Sequence, residues 1–321
     1  MTTAIALNAP VRSIEMLDLQ IKAGANEVYV GLPAEPLKVW TFNARARKLD
    51  EQPCQVPSLR ALRGIVDEAH AAGLTVHFSA NVQHLPPSLH AAYRAQVAQA
   101  LDAGADGLIV ANVGLARLLR DAGVTAPMTA GLYMNVGTTR LARYLRDQLA
   151  VRRIVLPHAM KLTEVRQFAA LDGVTIEVPA HTGGGNTCGR CMMFDSAAVP
   201  EFGSGCRSGY DVTTPDGTVL PKHPFLDGAT DCSLCSVADL IAAGVTAFKI
   251  PGRESPNVKA NAKITQLYRK LIDDSLAAKP LATSIREIDR VELMWQMRWV
   301  PRFCNAKRCK FEDTPYTQSY V

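Results

Sequence analysis

Nowhere among the 321 residues is there a run of eighteen uninterrupted apolar side chains; the longest candidate, Gly107 to Ala116, is itself broken by Asn112. A bilayer-spanning helix needs about 20 apolar residues, so no membrane partner is expected. The first residues, Met1 to Pro10, lack the charged-then-apolar layout of a secretory leader, and the expected location is cytoplasmic. Excess charge of one sign is scarce too. Thirty-five Lys plus Arg against 30 Asp plus Glu leave +5, which excludes a histone-like or acidic-tail chain but permits a local basic patch. Low-complexity tracts are missing, as are a Gly-x-Ser-x-Gly elbow and a His-Glu-x-x-His zinc helix. Cysteine is not scarce. Eight of them in a chain read as cytosolic point to metal or redox chemistry, because a reducing compartment disfavours structural disulfides.

One pattern recurs: a helix ending in Ala-Gly, a short turn, then a β-branched run. It occurs at Lys22–Val30, Ala71–Phe78, Asp102–Val110 and Ala242–Ile250. Glycine takes up the positive φ of a helix C-terminus at little cost, and the run that follows has strand composition. Four such joints imply repeated αβ units. Filling the gaps gives eight strands, near Ile5–Ala9, Glu27–Gly31, Thr75–Val82, Gly107–Asn112, Met128–Met134, Arg153–Leu156, Thr175–Ala180 and Thr246–Ile250. Helical periodicity fits between them, as in Leu59–Ala72, Leu89–Ala103 and Leu162–Leu171. Short apolar strands alternating with amphipathic helices form a parallel sheet covered by helices. Eight units suggest an α/β fold closed into a (β/α)8 barrel of the TIM type, with an open doubly wound sheet as the alternative.

The rhythm breaks after the seventh strand. Residues 181–240, rich in Gly, Ser, Thr, Asp and Cys, form an insertion that leaves the C-terminal end of a strand, the barrel face on which active sites sit. The expected organisation is a barrel over residues 1–280 containing this insertion, closed by a helix over Ser255–Ala278. A C-terminal extension over 281–321 carries Trp295, Trp299 and Tyr316.

Five cysteines fall in the insertion: Cys188-x2-Cys191, then Cys206, then Cys232-x2-Cys235. Two intervening residues let both thiolates of a pair reach one centre, the spacing shared by zinc sites and iron–sulfur loops, so both metals stay open at this level. A quartet of bare thiolates would repel itself, and bound metal stabilises it. Glycines at 183, 184, 185, 189, 203 and 205 allow tight chain reversal around the ligands. Cys304-x4-Cys309 forms a further pair in the tail, and Cys54 falls after the second strand, on the same barrel face.

Several segments together resemble the collagenase-like peptidase family U32. They are Ala9-Pro10 with Ala23 to Gly31, Phe42-Asn43-Ala44-Arg45-Ala46, Glu177-Val178-Pro179-Ala180-His181 leading to Gly189-Arg190-Cys191, Gly205-Cys206-Arg207, and Lys249-Ile250-Pro251-Gly252-Arg253. The resemblance covers about residues 5 to 275 and is nearest to the iron–sulfur ubiquinone-biosynthesis protein U type. It implies a barrel carrying a 4Fe–4S cluster, zinc being the alternative. It also implies a role in oxygen-independent hydroxylation of a small aromatic or prenylated molecule or of an RNA base, and a heterodimer with a related member. Cys191 and Cys206 match the family's ligands. Cys188 stands nearer Cys191 than the family's usual gap. Ser208-Gly209-Tyr210 stands where the RNA-modifying members have a further cysteine, so Cys232, Cys235 or Cys54 has to complete the set.

Other residues carry candidate chemistry. His181, at the end of the seventh strand, suits general acid–base work or a hydrogen bond to a sulfur or substrate. Glu177, four residues earlier, shares its face by the period of two; as an inward carboxylate it needs a cation, which Lys249 or Arg253 can supply. Glu177, His181 and Arg253 are therefore the candidate catalytic residues, and Arg45, Lys249 and His158 the candidate substrate contacts. His77 reads as core. A second reading is a non-catalytic, metal-stabilised RNA- or partner-binding module with a phosphate strip of Lys259, Lys263, Arg269 and Lys270. Proteolysis ranks third, since it needs a nucleophile–base pair that the sequence does not outline.

Overall fold

Each helix–glycine–strand joint works because the glycine does something that no other residue can. At Gly104 φ is +96°, and a Cβ there would stand 2.8 Å from a methyl of Val66. A side chain at this position would be strained in its own backbone and would collide with the neighbouring helix. The joints space the elements evenly in the computed structural model, which describes residues 5–37, 40, 54–158, 160–181, 210–223, 232–253, 255 and 257–286.

Eight parallel strands close into a barrel: β1 (Ala6–Pro10), β2 (Glu27–Val30), β3 (Thr75–Ala80), β4 (Gly107–Val110), β5 (Met128–Ala130), β6 (Val151–Val155), β7 (Thr175–Pro179) and β10 (Ala247–Lys249). β10 pairs with both β7 and β1, so the sheet has no edge. Helices α1 (Ile14–Lys22), α2 (Leu59–Ala71), α3 (His90–Asp102), α4 (Val113–Asp121), α5 (Thr139–Leu149), α6 (Leu162–Ala169), α7 (Val237–Ala242), α8 (Val258–Leu276) and α9 (Leu281–Arg286) follow in turn. Short polar residues start several of them: the side chains of Ser13, Ser58, Asn112, Thr138 and Asn257 each accept a hydrogen bond from an N–H in the first helical turn.

The strand-to-helix face carries the core. Leu7, Val28, Val30, Val76, Phe78, Leu108, Val110, Ile154, Ile176, Val178 and Phe248 alternate along the strands and pack against the helices. The alternate positions point into the barrel and are mostly polar: Asn8, Glu27, Tyr29, His77, Ser79, Thr129, Arg153, Glu177 and Lys249. A barrel of this kind is usually filled by Val, Ile and Leu. Here the apolar core is a sleeve around a charged centre.

The closed barrel decides against the open doubly wound sheet. Several boundaries differ from the sequence reading. Residues 132–134 form a single 3-10 turn, closed by Asn135 in a left-handed conformation with φ 49°, rather than the end of the fifth strand. The insertion contains an antiparallel hairpin, β8 (Tyr210–Thr213) and β9 (Val219–His223), and the barrel resumes at residue 232, since α7 already packs on it. The closing helix is α8, shorter at both ends than expected. No helix of the described residues is long and apolar enough to cross a membrane.

Candidate functional site

The two ends of the cysteine-rich segment meet. Ser233 donates its backbone N–H to the Ala180 carbonyl at 3.0 Å, and its hydroxyl donates to the same oxygen at 3.0 Å. The Tyr268 hydroxyl of α8 donates to that carbonyl as well and accepts from Ser233 N at 3.1 Å. This clasp is buried, and it holds the chain leaving β7 against the chain returning to α7. Cys232 lies beside the clasp, half-buried against the core; Cys235 is exposed in the single 3-10 turn over Leu234–Ser236. Neither thiol is in a disulfide. His181 is 1% exposed, with its ring edge-on to Tyr268 at 5.9 Å between centroids.

Inside the barrel a second group converges. Arg153 of β6 clamps the Glu27 carboxylate with both terminal nitrogens, one bond measuring 2.7 Å, and lies 3.5 Å from Glu177. His77 reaches Glu27 at 3.2 Å. Glu177 also accepts from Asn8 Nδ2 at 3.2 Å and faces Lys249 Nζ at 3.7 Å. Burial pushes the Glu27 carboxyl up, but its hydrogen bonds to Arg153 and His77 outweigh this and bring it down to about 2. Lys249 moves the other way: burial lowers it to about 8 against the pull of Glu177, with Arg253 and Arg153 as cationic neighbours. Its amine lies 3.8 Å above the Tyr29 ring and makes no hydrogen bond among the described residues. The Tyr29 hydroxyl donates to the Ile250 carbonyl at 3.0 Å, which fixes that ring.

Arg253 reaches back from the loop after β10. Its guanidinium lies 5.3 Å from the Tyr29 ring centre and donates to the Ser79 hydroxyl at 3.4 Å, while Arg12 donates to its carbonyl at 2.5 Å. Gly252 makes this path possible, with φ +125° and a would-be Cβ only 2.5 Å from Asn261 Nδ2. Asn261 in turn donates to the Pro251 carbonyl at 3.0 Å. Thus the Pro251-Gly252-Arg253 turn is held from α8, and the arginine is aimed into the barrel.

The structure therefore brings Glu177, Lys249 and Arg253 to one polar centre around Tyr29. His181 belongs to a neighbouring group, the clasp against α8. The expected pairing of Glu177 with Lys249 is present, whereas Arg253 bonds Ser79 instead. His158 is half-buried in the loop after β6. Cys54 is buried in the loop between β2 and α2, hence on the C-terminal face. Arg45, Cys188, Cys191, Cys206, Cys304 and Cys309 lie outside the described residues. Among the described residues no group of three or more His, Cys, Asp or Glu is placed to hold a metal. The sequence reading passed over Asn8, Glu27, Tyr29 and Arg153 and set His77 aside as core. The signal was there: ionisable residues at alternate positions of strands that are otherwise apolar.

Comparison with known proteins gives three findings. The sequence profile described as Peptidase family U32 matches residues 12–306. Two curated proteins named tRNA hydroxylation protein P, from Escherichia coli and Haemophilus influenzae, are each 22% identical over 88% of this chain and 70% of their own length. A solved U32 peptidase has 14% identity and a TM-score of 0.48, covering 78% of this chain and 95% of its own.

Proposed function

The chain belongs to peptidase family U32, and from that membership we propose that it serves the oxygen-independent hydroxylation of a tRNA base with an iron–sulfur cluster held by its cysteine-rich insertion. The observation that carries this reading is the clasp at Ala180, Ser233 and Tyr268, which holds the chain next to Cys232 at the C-terminal face of the barrel, with His181 against the same tyrosine. The names of the two curated relatives support a tRNA among the substrates that the family resemblance leaves open.

The donor set fits such a cluster. Cys232 and Cys235 are undisulfided thiols at the spacing that cluster loops use, one of them exposed. The chain leaves β7 for the segment that carries Cys188, Cys191 and Cys206 at Ala180, whose carbonyl accepts from Ser233, the residue next to Cys232. When bound, the cluster would supply one-electron transfer. The chain's own residues set the surroundings. Lys249 and Arg253 place two cations around the Tyr29 ring, where they would hold a carbonyl oxygen or an anionic group of the substrate. Glu177, itself held by Asn8 and Arg153, keeps Lys249 in place. His181 would position a group at the rim through its ring nitrogens.

Anaerobic purification and reconstitution, followed by iron and sulfide counting, test the reading. About four irons and four sulfides per chain are expected, with a charge-transfer absorption that Cys191→Ala and Cys206→Ala abolish. A colourless protein with one zinc per chain would overturn the redox role. Loss of the hydroxylated nucleoside from the tRNA of cells lacking the protein, restored by the wild type and not by Cys191→Ala, is the expected cellular result.

A further inference from the structure

We propose that the outer face formed by α4 and α5 is an RNA-docking surface, on which Arg117, Arg140, Arg143 and Arg152 neutralise phosphates and Tyr144 stacks on an unpaired base. This rests on the RNA reading above and adds to it the place where the nucleic acid lies.

Residues 113–152 contain six arginines, no lysine and only two acidic residues, Asp121 and Asp147. The chain's whole net charge is +5, so this one flank, at +4, holds most of it. Two of the six arginines are committed elsewhere. Arg120 donates to the carbonyls of Val124, Ala126, Leu149 and Ala150, tying α4 to the turns beyond it. Arg146 pairs with Asp147 at 2.7 Å and donates to the Asp172 carbonyl. The other four are exposed. They are crowded: Asp147 is held low first by Arg146, with Arg143 and Arg152 adding to the pull, so one carboxylate answers three guanidiniums. The Cδ of Arg146 and a terminal nitrogen of Arg152 lie 3.6 and 4.0 Å from the same point above Gly173.

An aromatic ring sits in this strip. Tyr144 is 40% exposed, although α5 buries Ala142, Leu145 and Leu149 on its other face. Its hydroxyl accepts from Arg117 at 3.1 Å, which bridges the two helices and sets the ring in place. An exposed ring among guanidiniums matches what single-stranded nucleic acid needs: charge for the backbone and a flat face for a base. Arginine without lysine favours bidentate phosphate binding.

The direction of the strip links it to the reaction. α5 follows β5, so its first turn lies at the C-terminal mouth of the barrel, and Arg140 is in that turn. Arg143 and Tyr144 follow one turn further along, and Arg152 is the second residue of β6, at the opposite end. The helix is about 16 Å long. A chain that delivers a base to the mouth can therefore run down this flank. The strip expected on α8 is weaker, since Arg269 pairs with Asp273 and Lys270 with Asp274.

Fluorescence anisotropy of labelled unfractionated tRNA against the full chain, across a salt series, decides the matter. Arg140→Glu/Arg143→Glu is expected to weaken binding at least tenfold and to reduce the salt slope by about one for each phosphate that is no longer neutralised. Tyr144→Ala should weaken it roughly fivefold or more, and Tyr144→Phe should restore it. Lys259→Glu/Lys263→Glu should stay within twofold. All these side chains are exposed, so thermal unfolding and iron content should match the wild type. Wild-type affinity in the double arginine variant would overturn the surface while leaving the tRNA reading intact, because the parent protein still binds. A wild-type protein with no affinity for tRNA would overturn both. Competition by poly-glutamate as strong as that by tRNA, with Tyr144→Ala silent, would overturn the RNA assignment in favour of an acidic protein.

Discussion

Glu27 carries a clear pH signature among the described residues. Its carboxyl falls from 4.5 to about 2 on folding because Arg153 and His77 hydrogen-bond its charged form more strongly than burial opposes it. A lowered acid contributes stability that is fully present above the unfolded value and lost as pH falls through the folded one. The contribution is on the order of 3 kcal/mol, and it should drain away between pH 4.5 and 2. Urea unfolding of wild type and Glu27→Gln is expected to show a gap in stability at pH 6 that closes as pH approaches 2; a constant gap would mean the clamp is weak. Lys249 has the opposite sense. Its lowered value of about 8 means that the folded chain resists the charged amine, so the cost is full below pH 8 and eases as pH rises toward 10.5. Titration of isotope-labelled lysine side chains by NMR, with Lys249 assigned by Lys249→Met, should show a midpoint near pH 8, well below the surface lysines. Of this centre, Glu177, Lys249 and Arg253 were legible from sequence, because a carboxylate in a buried strand demands a cation. Glu27, Arg153 and His77 were passed over, although ionisable residues at alternate strand positions mark them. The strands were read as nearly all apolar, and in a barrel both faces of a strand are buried, so alternation separates two interiors and not core from solvent.

Among the elements, the helix–glycine–strand joints were plain in the sequence, because positive φ at positions such as Gly24, Gly73, Gly104 and Gly244 strongly favours glycine. The hairpin of β8 and β9 was not, since it buries no described residue in the core and leaves even Val219 and Leu220 exposed. Element ends depend on caps. Thr138 accepts a hydrogen bond from Leu141 N at 3.2 Å to start α5, and Thr138→Ala should cost about 1 kcal/mol by thermal unfolding. The clasp is a tertiary counterpart. Tyr268→Phe removes one hydroxyl that serves both Ala180 and Ser233 and leaves buried groups short of a partner. The expected loss is about 1–3 kcal/mol, together with faster proteolytic cutting between residues 182 and 231. Unchanged cutting would show that other interactions hold the base of the insertion.

For the molecule as a whole, the eight strands were countable in advance, because β10 supplies the closure that an open sheet lacks. The cysteine spacings were equally visible, but spacing describes neighbours along the chain. The meeting of Ser233 with Ala180, 53 residues apart, depends on a tyrosine in α8 that no local pattern announces. The outer sleeve and the inner charges also divide the labour. The sleeve is continuous and apolar, so it holds the barrel round, while the centre is free to carry ionised groups that a hydrophobic filling would exclude.

That clasp turns the cysteine-rich segment into a cassette. With both of its ends fastened to one carbonyl and one phenol, the barrel does not sense how much chain lies between them, and doubling that length would cost only about 0.6 kcal/mol of closure entropy. A descendant could lengthen, trim or exchange the cassette for one of different chemistry without redesigning the scaffold, provided that the two anchoring residues and the tyrosine stayed behind.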